Sequence, residues 1–410
     1  MKEMKPPDRF SPLDIGVFGA RDIPSTYSGY ETFLTELLPA LASRGHKVTM
    51  YTRRSSGSTA GSVYRGVHRR PLPEFPGKNG STLSHGAVAS ARASVGGHDV
   101  LLVVNVANAL FTWLPRLLGT SVVLNTDGQE WLRGKWGRNA RKIFLVSAQI
   151  AKLAATSLVC DSLEMQSIYR SRFKSDSTLI PYAALSLPPA PVESLAEFGL
   201  SNLSYILVGG RLVPENNIVE IVKGALSPLL SKDLVVIGGA NYNSPVLQEL
   251  QAIRDPRLKI LGHIDDRRSF ARLLASAAIY VHGHSVGGIN PSLLEAMALG
   301  ANILALDTPF NREALGGAGQ FFEDFDVGLQ DALLDLLNKG AGEALARSSN
   351  VDRALTLFSL DSCVDAYELT LASAAAVGRA RGIKAVTHWE TLMIAEKLAS
   401  VAAADSRDSL

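Results

Sequence analysis

The segment Ile279–Gly300, IYVHGHSVGGINPSLLEAMALG, carries the clearest fold signal in this chain. An apolar run ends near His282, the pair Gly287–Gly288 follows, and Asn290 then precedes a proline and a helical pattern. Asparagine is a favoured N-cap and proline a favoured first helical residue, so the pattern predicts a strand, a glycine loop and a helix. Such a loop presents backbone N–H groups and the positive end of the helix dipole, which suits a phosphate group.

A second strand and loop lie upstream, in Tyr205–Asn217, YILVGGRLVPENN. Arg211 follows a glycine pair at the predicted carboxyl end of the strand, the edge where open parallel sheets bind ligands. A guanidinium there can bridge two phosphate oxygens; helix capping or an ion pair with Glu215 is the alternative. Glu295, in the second turn of the downstream helix, is a candidate acceptor of hydrogen bonds from sugar hydroxyls, with an ordinary surface glutamate as the alternative.

Strand-like apolar runs alternate with helical patterns along most of the chain, which is typical of parallel sheets covered on both faces. About twelve strands are too many for one ordinary sheet, so we predict an α/β protein with two Rossmann-like domains. The Pro-rich segment Ala184–Leu203 marks the boundary. The predicted units are an N-terminal domain (residues 1–190), a C-terminal domain (204–370) and a helical tail (371–410). The predicted strands are Asp14–Gly19, Lys47–Thr52, Val100–Ala107, Ser121–Thr126, Ser157–Asp161, Thr178–Pro181, Tyr205–Gly209, Asp233–Gly238, Arg257–Gly262, Ala278–His282, Asn302–Asp307 and Gln320–Glu323.

The composition excludes a mainly disordered chain and a collagen-like or disulfide-scaffold protein. Of 410 residues, 46% are hydrophobic and 20% charged, which is ordinary for a globular protein. The net charge of +2 hides an asymmetry: residues 1–190 hold 23 Lys and Arg against 13 Asp and Glu, whereas the remainder is acidic. The basic half suits an anionic lipid surface or a phosphate-bearing substrate, or simply reflects solvated faces. Two distant cysteines indicate a reducing compartment, and neither a signal peptide nor a membrane span is expected.

The segment Asn125–Trp136, NTDGQEWLRGKW, supplies the candidates of the first half. Asp127 follows a predicted strand, where a carboxylate can orient an acceptor hydroxyl or take its proton. Arg133 and Lys135 are candidates for an acceptor phosphate, and Trp131 or Trp136 for stacking on a sugar; a loop with core tryptophans and solvated charges is the alternative.

Weaker candidates lie elsewhere. His282 suits a sugar cleft better than a metal site, because no third ligand stands at metal spacing. Asn311 begins a helix and either lines the donor site or caps that helix. Asp324-Phe325-Asp326 spells a DxD sequence, but it follows the last strand, where chance explains it better than metal binding. We therefore expect neither a metal nor another cofactor.

Several long strings together resemble retaining family-four glycosyltransferases with the GT-B architecture. They are RDIPSTYSGYET, NTDGQEWLRGKW, RLVPENNI, VHGHSVGGINPSLLEAM and DTPFNREAL. They are most similar to a bacterial branch that includes rhamnosyltransferases of polysaccharide assembly, and the resemblance covers about residues 13–370. Arg211 and Glu295 match the family pattern. Asn216 stands where the family has Lys and Gly287 where it has Glu, but the branch tends to share both changes.

The resemblance implies two domains facing each other across a cleft and transfer with retention of anomeric configuration. It implies catalytic roles for Asp127, Arg211 and Glu295. Donor binding extends over further residues, and the loop that follows the first strand faces the donor phosphates and the acceptor. The expected donor-site residues are Gly19, Arg211, Asn216, His282, Gly287, Gly288, Asn290, Glu295 and Asn311; the expected acceptor-site residues are Tyr27, Ser28, Gly29, Asp127, Trp131, Arg133 and Lys135.

The favoured function is therefore transfer of a sugar, by resemblance L-rhamnose from dTDP-L-rhamnose, to a glycan or lipid-linked acceptor in bacterial polysaccharide biosynthesis. We expect a cytoplasmic protein with peripheral contact to the inner membrane face as an option, and no nucleic-acid partner. Two alternatives stay open. One is a nucleotide-sugar epimerase, against which the NTDGQEW loop argues; the other is a non-catalytic partner subunit, which Asn216 and Gly287 would motivate.

Overall fold

The computed structural model describes residues 11–25, 29–57, 59, 61–75, 80–134, 136–185, 188–239, 244–338 and 341–379. Two sheets organise this part of the chain, one of eight strands from the first half and one of six strands from the second. The prediction of two Rossmann-like α/β domains is confirmed. Of the expected site residues, Tyr27, Ser28 and Lys135 lie outside the described residues, as does the part of the predicted helical tail from residue 380 onward.

The first sheet has the strand order β3-β4-β2-β1-β5-β6-β7-β8. Every pairing in it is parallel except the edge hairpin of β3 and β4. Two of its central strands, Val100–Val104 and Ser121–Asn125, are buried throughout and mostly apolar, as expected when helices cover both faces. Its strands are β1 (Asp14–Phe18), β2 (Lys47–Arg53), β3 (Val63–Tyr64), β4 (Val67–Leu72), β5 (Val100–Val104), β6 (Ser121–Asn125), β7 (Ser157–Cys160) and β8 (Thr178–Leu179).

The second sheet has the order β11-β10-β9-β12-β13-β14, and all its pairings are parallel. In both sheets the order reverses beside a central strand, which opens a crevice at the carboxyl edge. The strands are β9 (Tyr205–Gly209), β10 (Asp233–Ile237), β11 (Leu258–Gly262), β12 (Ile279–His282), β13 (Ile303–Leu306) and β14 (Gln320–Phe322).

The helices pack on the faces of the two sheets. Most of them follow a strand in the chain, which places their N-termini at the carboxyl edge of a sheet. They are α1 (Gly29–Ser43), α2 (Gly80–Ser94), α3 (Trp113–Leu117), α4 (Arg138–Ala154), α5 (Leu163–Phe173), α6 (Ile218–Ala225), α7 (Pro245–Ala252), α8 (Arg267–Ala275), α9 (Pro291–Ala298), α10 (Pro309–Leu315), α11 (Val327–Asn338), α12 (Ala341–Leu357) and α13 (Leu360–Arg379).

Helix α13 lies against the first sheet although it follows the second domain in the chain. It contacts α1, β5 and β6. Glu368 accepts from Arg44 at 2.5 Å and lies 3.0 Å from His46 Nε2, and the Tyr367 hydroxyl accepts from Asn125 Nδ2 at 2.6 Å. The predicted tail begins at residue 371, whereas the helix that returns to the first domain begins at Leu360.

Candidate functional site

A cleft of about 330 Å3 lies where the carboxyl ends of the two sheets face each other. The segments that follow β1, β6 and β7 form one wall, and those that follow β9, β10 and β12 form the other. This is the crevice position at which doubly wound sheets bind ligands. The expected site residues that line it are Gly19, Gly29, Asp127, Arg133, Arg211, Asn216, Gly288, Asn290 and Glu295.

The glycine loop between β12 and α9 has the local structure that the sequence predicts. Asn290 is the N-cap of α9, and its Oδ1 accepts from the backbone N–H of Ser292 at 3.0 Å. Gly287 adopts a φ of +123°, which favours glycine. The loop and the first turn of α9 border the cleft, so backbone N–H groups and the positive end of the helix dipole face a bound ligand.

Arg211 extends from the loop after β9 and is half-buried in the cleft wall. Among the ion pairs of the described residues it has none, so the predicted alternative of a pair with Glu215 is not seen there. Its carbonyl oxygen accepts from Asn216 Nδ2 at 2.7 Å, and Asn216 Oδ1 lies 2.7 Å from His284 Nδ1. Asn216 thus ties the Arg211 loop to the strand end of β12.

Glu295 faces the cleft from the second turn of α9 and is only 6% exposed. Burial raises its pKa to about 7, against the opposing charge of Arg267, whose Nη2 lies 2.5 Å from Oε1. The carboxyl group therefore titrates near neutral pH and can change protonation when a ligand enters. Arg267, which also lines the cleft, was not predicted, because only the tertiary fold brings α8 beside α9.

Asp127 stands on the opposite wall in a left-handed backbone conformation, with a φ of +55°. Its N–H donates to Asn125 Oδ1 at 2.8 Å, and the Tyr182 hydroxyl donates to its Oδ1 at 3.2 Å. Burial and the charges of Asp127 and Asp161 raise the pKa of Tyr182 well above its ordinary value, which keeps this donor protonated. A non-glycine residue held in this conformation costs free energy, and such positions recur at functional sites.

Asp161 is a cleft residue that the sequence reasoning missed. It follows β7 directly, is 2% exposed, and accepts from the Ser162 hydroxyl at 3.1 Å. Burial, and then the negative charge of Asp127, raises its pKa well above the ordinary value. Its position after a strand is the same signal that pointed to Asp127 and would have found it.

The segment after Asp127 is braced by one carboxylate. Glu130 Oε1 lies 2.6 Å from Arg133 Nε, and Glu130 Oε2 accepts from Trp136 Nε1 at 2.6 Å. Arg133 is 8% exposed and lies next to the glycine loop: a Cβ at Gly287 would be 3.2 Å from its Nη2. A cation from the first domain therefore stands beside the loop of the second.

Four expected site residues are not among the described residues that line the cleft. Trp131 is 5% exposed and packs edge-on against Phe173 in the core, so its ring is not available for stacking on a sugar. His282 is 2% exposed, and burial lowers its pKa to about 3. Asn311 donates to the carbonyl oxygens of His284 and Leu306, which supports the loop from behind. The fourth is Gly287, whose neighbour Gly288 borders the cleft.

The DxD sequence serves as a helix cap. Asp324 Oδ1 accepts from the backbone N–H groups of Asp326 and Gly328, both at 3.0 Å, where α11 begins. Within the described ranges, no group of three or more His, Cys, Asp or Glu side chains is arranged to hold a metal ion. The helices in those ranges also include none that is long and apolar enough to cross a membrane.

The fold and the cleft together define the class: two Rossmann-like domains that face each other in the GT-B arrangement. Residues 28–183 match the family model described as "Glycosyl transferase 4-like domain". Residues 204–339 match the one described as "Glycosyl transferases group 1". The two matches thus fall one on each side of the segment that joins the two sheets.

Solved structures with the same fold share little sequence with this chain. Sucrose-phosphate synthase from Thermosynechococcus elongatus superposes with a TM-score of 0.72 at 16% identity, covering 87% of this chain and 98% of that one. HepE of Anabaena, in complex with UDP and glucose, gives 0.69 at 14% identity, covering 88% and 100%. A trehalose 6-phosphate synthase from Burkholderia multivorans gives 0.68 at 12% identity, covering 92% and 100%. No match to the sequence was found among curated proteins.

Proposed function

We propose that this protein transfers a sugar from a nucleotide diphosphate donor to a hydroxyl group of an acceptor bound in the cleft. The observation that carries the proposal is the second-domain wall: Arg211, without a carboxylate partner among the described ion pairs, stands with the Gly287–Gly288 loop and the N-terminus of α9. These groups are suited to a diphosphate. Asp127 faces them from the first domain.

The roles of the residues on the donor side follow from the negative charge of the nucleoside diphosphate. The negative charge of a departing nucleoside diphosphate grows in the transition state, and fixed positive groups that face it lower the barrier. Arg211 and the loop N–H groups supply that stabilisation, so we expect no metal requirement. Buried Glu295 holds donor hydroxyl groups, and Arg267 sets its charge state. Solved relatives of the same fold bind UDP and UDP-glucose, which supports a nucleotide sugar as the ligand.

On the acceptor side, Asp127 is the residue that positions the acceptor. Its carboxylate, oriented by Asn125 and Tyr182, holds the acceptor hydroxyl toward the sugar. The resemblance to retaining enzymes suggests retention, with the leaving diphosphate taking the proton of the incoming hydroxyl. In that mechanism the protein positions both substrates and forms no covalent intermediate.

The resemblance carries the finer assignment. We favour L-rhamnose from dTDP-L-rhamnose, with a UDP-sugar as the next donor, and an acceptor of bacterial polysaccharide biosynthesis at the cytoplasmic membrane face. The basic first half of the chain is compatible with an acceptor that carries phosphate groups.

A thermal-shift panel of dTDP, UDP, GDP, ADP and CDP, with and without magnesium, tests the proposal. A ligand that binds only the folded state raises stability by RT ln(1 + [L]/Kd). We expect one base to give a clear shift that magnesium does not change and that Arg211→Gln removes. Absence of a shift with every nucleotide would overturn the proposal and favour a non-catalytic partner subunit.

A further inference from the structure

A second cavity, of about 770 Å3, adjoins the cleft on the first domain. The segment after β1, the end of β2 and the start of α2 form it, and Arg21 and Arg53 line both this cavity and the cleft. A ligand in the second cavity can therefore extend into the cleft, where the candidate catalytic groups lie.

Arg53, the last residue of β2, is a buried cation that forms no ion pair within the described part of the chain. It is 8% exposed, and its guanidinium donates to two neutral hydroxyls, Ser81 Oγ at 3.0 Å and Thr82 Oγ1 at 3.1 Å. Its Nε has no hydrogen-bond partner among the described residues, and none of their ion pairs includes it. Burial of an unpaired charge is costly, so such a group persists where a ligand completes it.

Charges of both signs surround Arg53. Burial lowers its pKa and the nearby charge of Arg21 adds to that effect, whereas Tyr30, Glu31 and Glu74 act to raise it. Arg54 adds a third guanidinium at the rim of the cavity. Ser81, whose hydroxyl binds Arg53, lies in the first turn of the 15-residue helix α2, so the positive end of a helix dipole faces the same space.

The two carboxylates that line the cavity already have partners of their own. Asp22 accepts from the Ser56 hydroxyl at 3.0 Å and lies 3.7 Å from Arg69 Nη1. Glu74 accepts from the backbone N–H groups of Arg54 and Ser55, both at 3.2 Å. Neither forms an ion pair with Arg53 among the described residues, so a dianionic ligand can take that position.

We propose that the second cavity binds a phosphoryl group of the acceptor, with Arg53 as its principal cation. The proposal rests on the proposed function, because it specifies the class of acceptor: one whose phosphate sits at Arg53 while its hydroxyl reaches Asp127. Guanidinium groups bind phosphate through paired N–H donors, and a second cation strengthens such a site. The phosphoryl group belongs either to a water-soluble sugar phosphate or to a lipid-linked sugar diphosphate.

The test separates this site from the donor site. Binding is measured on the full chain in the presence of saturating nucleoside diphosphate, which occupies Arg211. The soluble probe is glucose 6-phosphate, followed by calorimetry; the lipid probe is a phosphatidylcholine vesicle doped with a polyprenyl diphosphate, compared with undoped vesicles by co-sedimentation. We expect one probe to bind, and Arg53→Gln to weaken it about tenfold or more.

Two variants keep the outcome interpretable. Arg54→Gln removes an exposed cation from the rim and is expected to weaken the same probe, which decides the matter if Arg53→Gln does not fold. Arg170→Gln removes one exposed charge from a distant ion pair of the same domain and is expected to change nothing. Equal binding by the wild type and the cavity variants, or binding by neither probe, would overturn the inference. Retained nucleotide binding in that case would leave the proposed function standing, whereas loss of nucleotide binding would count against the function itself.

Discussion

The carboxyl group of Asp161 lies directly against Gly288, across the boundary between the two domains. A Cβ added at Gly288 would lie 1.7 Å from Asp161 Oδ2, and one at Gly128 would lie 2.8 Å from the Cα of Gly287. The first domain therefore contacts the Gly287–Gly288 loop of the second through glycine backbone, so the two walls of the cleft touch at this point.

We predict that Gly288→Ala weakens this contact between the two domains and so opposes closure of the cleft. The φ of Gly288 does not lie in the left-handed region, so space rather than backbone conformation requires glycine there. An added methyl group must push Asp161 away, at a cost of about 1–3 kcal/mol. We expect turnover to fall roughly tenfold or more with a wild-type melting temperature, and X-ray scattering to report a larger radius of gyration.

Gly134→Ala is the matched control, since a Cβ there would meet Pro214 of the other domain at an ordinary 3.6 Å. Its turnover and scattering should match the wild type. Adding Asp161→Ala to Gly288→Ala removes the obstructing carboxyl group and should restore the compact form. Wild-type compactness of the single variant Gly288→Ala would show that this contact does not govern closure.

Tyr367 positions Asp127 from a distance. Its hydroxyl accepts from Asn125 Nδ2 at 2.6 Å, and Asn125 Oδ1 holds the N–H of Asp127. Tyr367→Phe leaves the amide of Asn125 without this acceptor, so we predict a loss of about 1 kcal/mol in the free energy of unfolding. We also predict a fall in kcat with little change in the KM of the donor, because the donor lies on the other wall.

Tyr205→Phe provides the comparison for that prediction. The Tyr205 hydroxyl is equally buried and donates to the carbonyl oxygen of Leu273 at 2.7 Å, away from Asp127. The Tyr205→Phe variant should lose a similar amount of unfolding free energy and keep the wild-type kcat. If both variants lose kcat alike, Tyr367 contributes to stability alone and has no positioning role.

Glu295 should make stability depend on pH between about 4.5 and 7. The unfolded carboxyl group loses its proton near its ordinary pKa of 4.5, whereas the folded one keeps it up to about pH 7. The folded state binds more protons in that window, so the free energy of unfolding falls as pH rises, by at most about 1.4 kcal/mol per pH unit. Chemical denaturation of the wild type and Glu295→Gln at several pH values measures this contribution as their difference.

Arg267→Gln sharpens the pH prediction. Removal of the opposing charge should raise the pKa of Glu295 further and extend the fall in stability to higher pH. The variant Glu295→Gln should lack the contribution altogether. A wild-type curve parallel to that of Glu295→Gln throughout the window would mean that Arg267 keeps Glu295 ionised and that burial does not prevail.

The central strands were predictable because each is an unbroken apolar run with a helical pattern on either side. Tyr205–Gly209 coincides with β9, and Val100–Ala107 contains β5. The edge hairpin of β3 and β4 was missed. Its sequence, Val63–Leu72, carries His, three Arg and Pro among few apolar residues, since an edge strand needs no apolar pattern on both faces.

The site was predictable where chemistry follows a strand end and not where it depends on packing. Arg211 and Asp127 were found because both come directly after apolar strands. Nothing in the sequence shows that Arg267 meets Glu295 or that Trp131 turns into the core, because both depend on how helices pack. Likewise, the isolation of Arg53 becomes visible only when its neighbours are known.

Release of nucleoside diphosphate from a sugar nucleotide shows whether this cleft catalyses transfer of a sugar. The assay supplies dTDP-L-rhamnose or UDP-glucose, with and without a sugar phosphate, to the wild type, to Arg211→Gln and to Arg254→Gln. Arg254 is exposed and, within the described ranges, donates to a carbonyl oxygen of its own turn, so it is the matched control. We predict release by the wild type and the control, and release roughly tenfold or more slower by Arg211→Gln. Nucleotide binding without release from any donor, or equal release by all three proteins, would contradict the assignment of catalysis to this cleft.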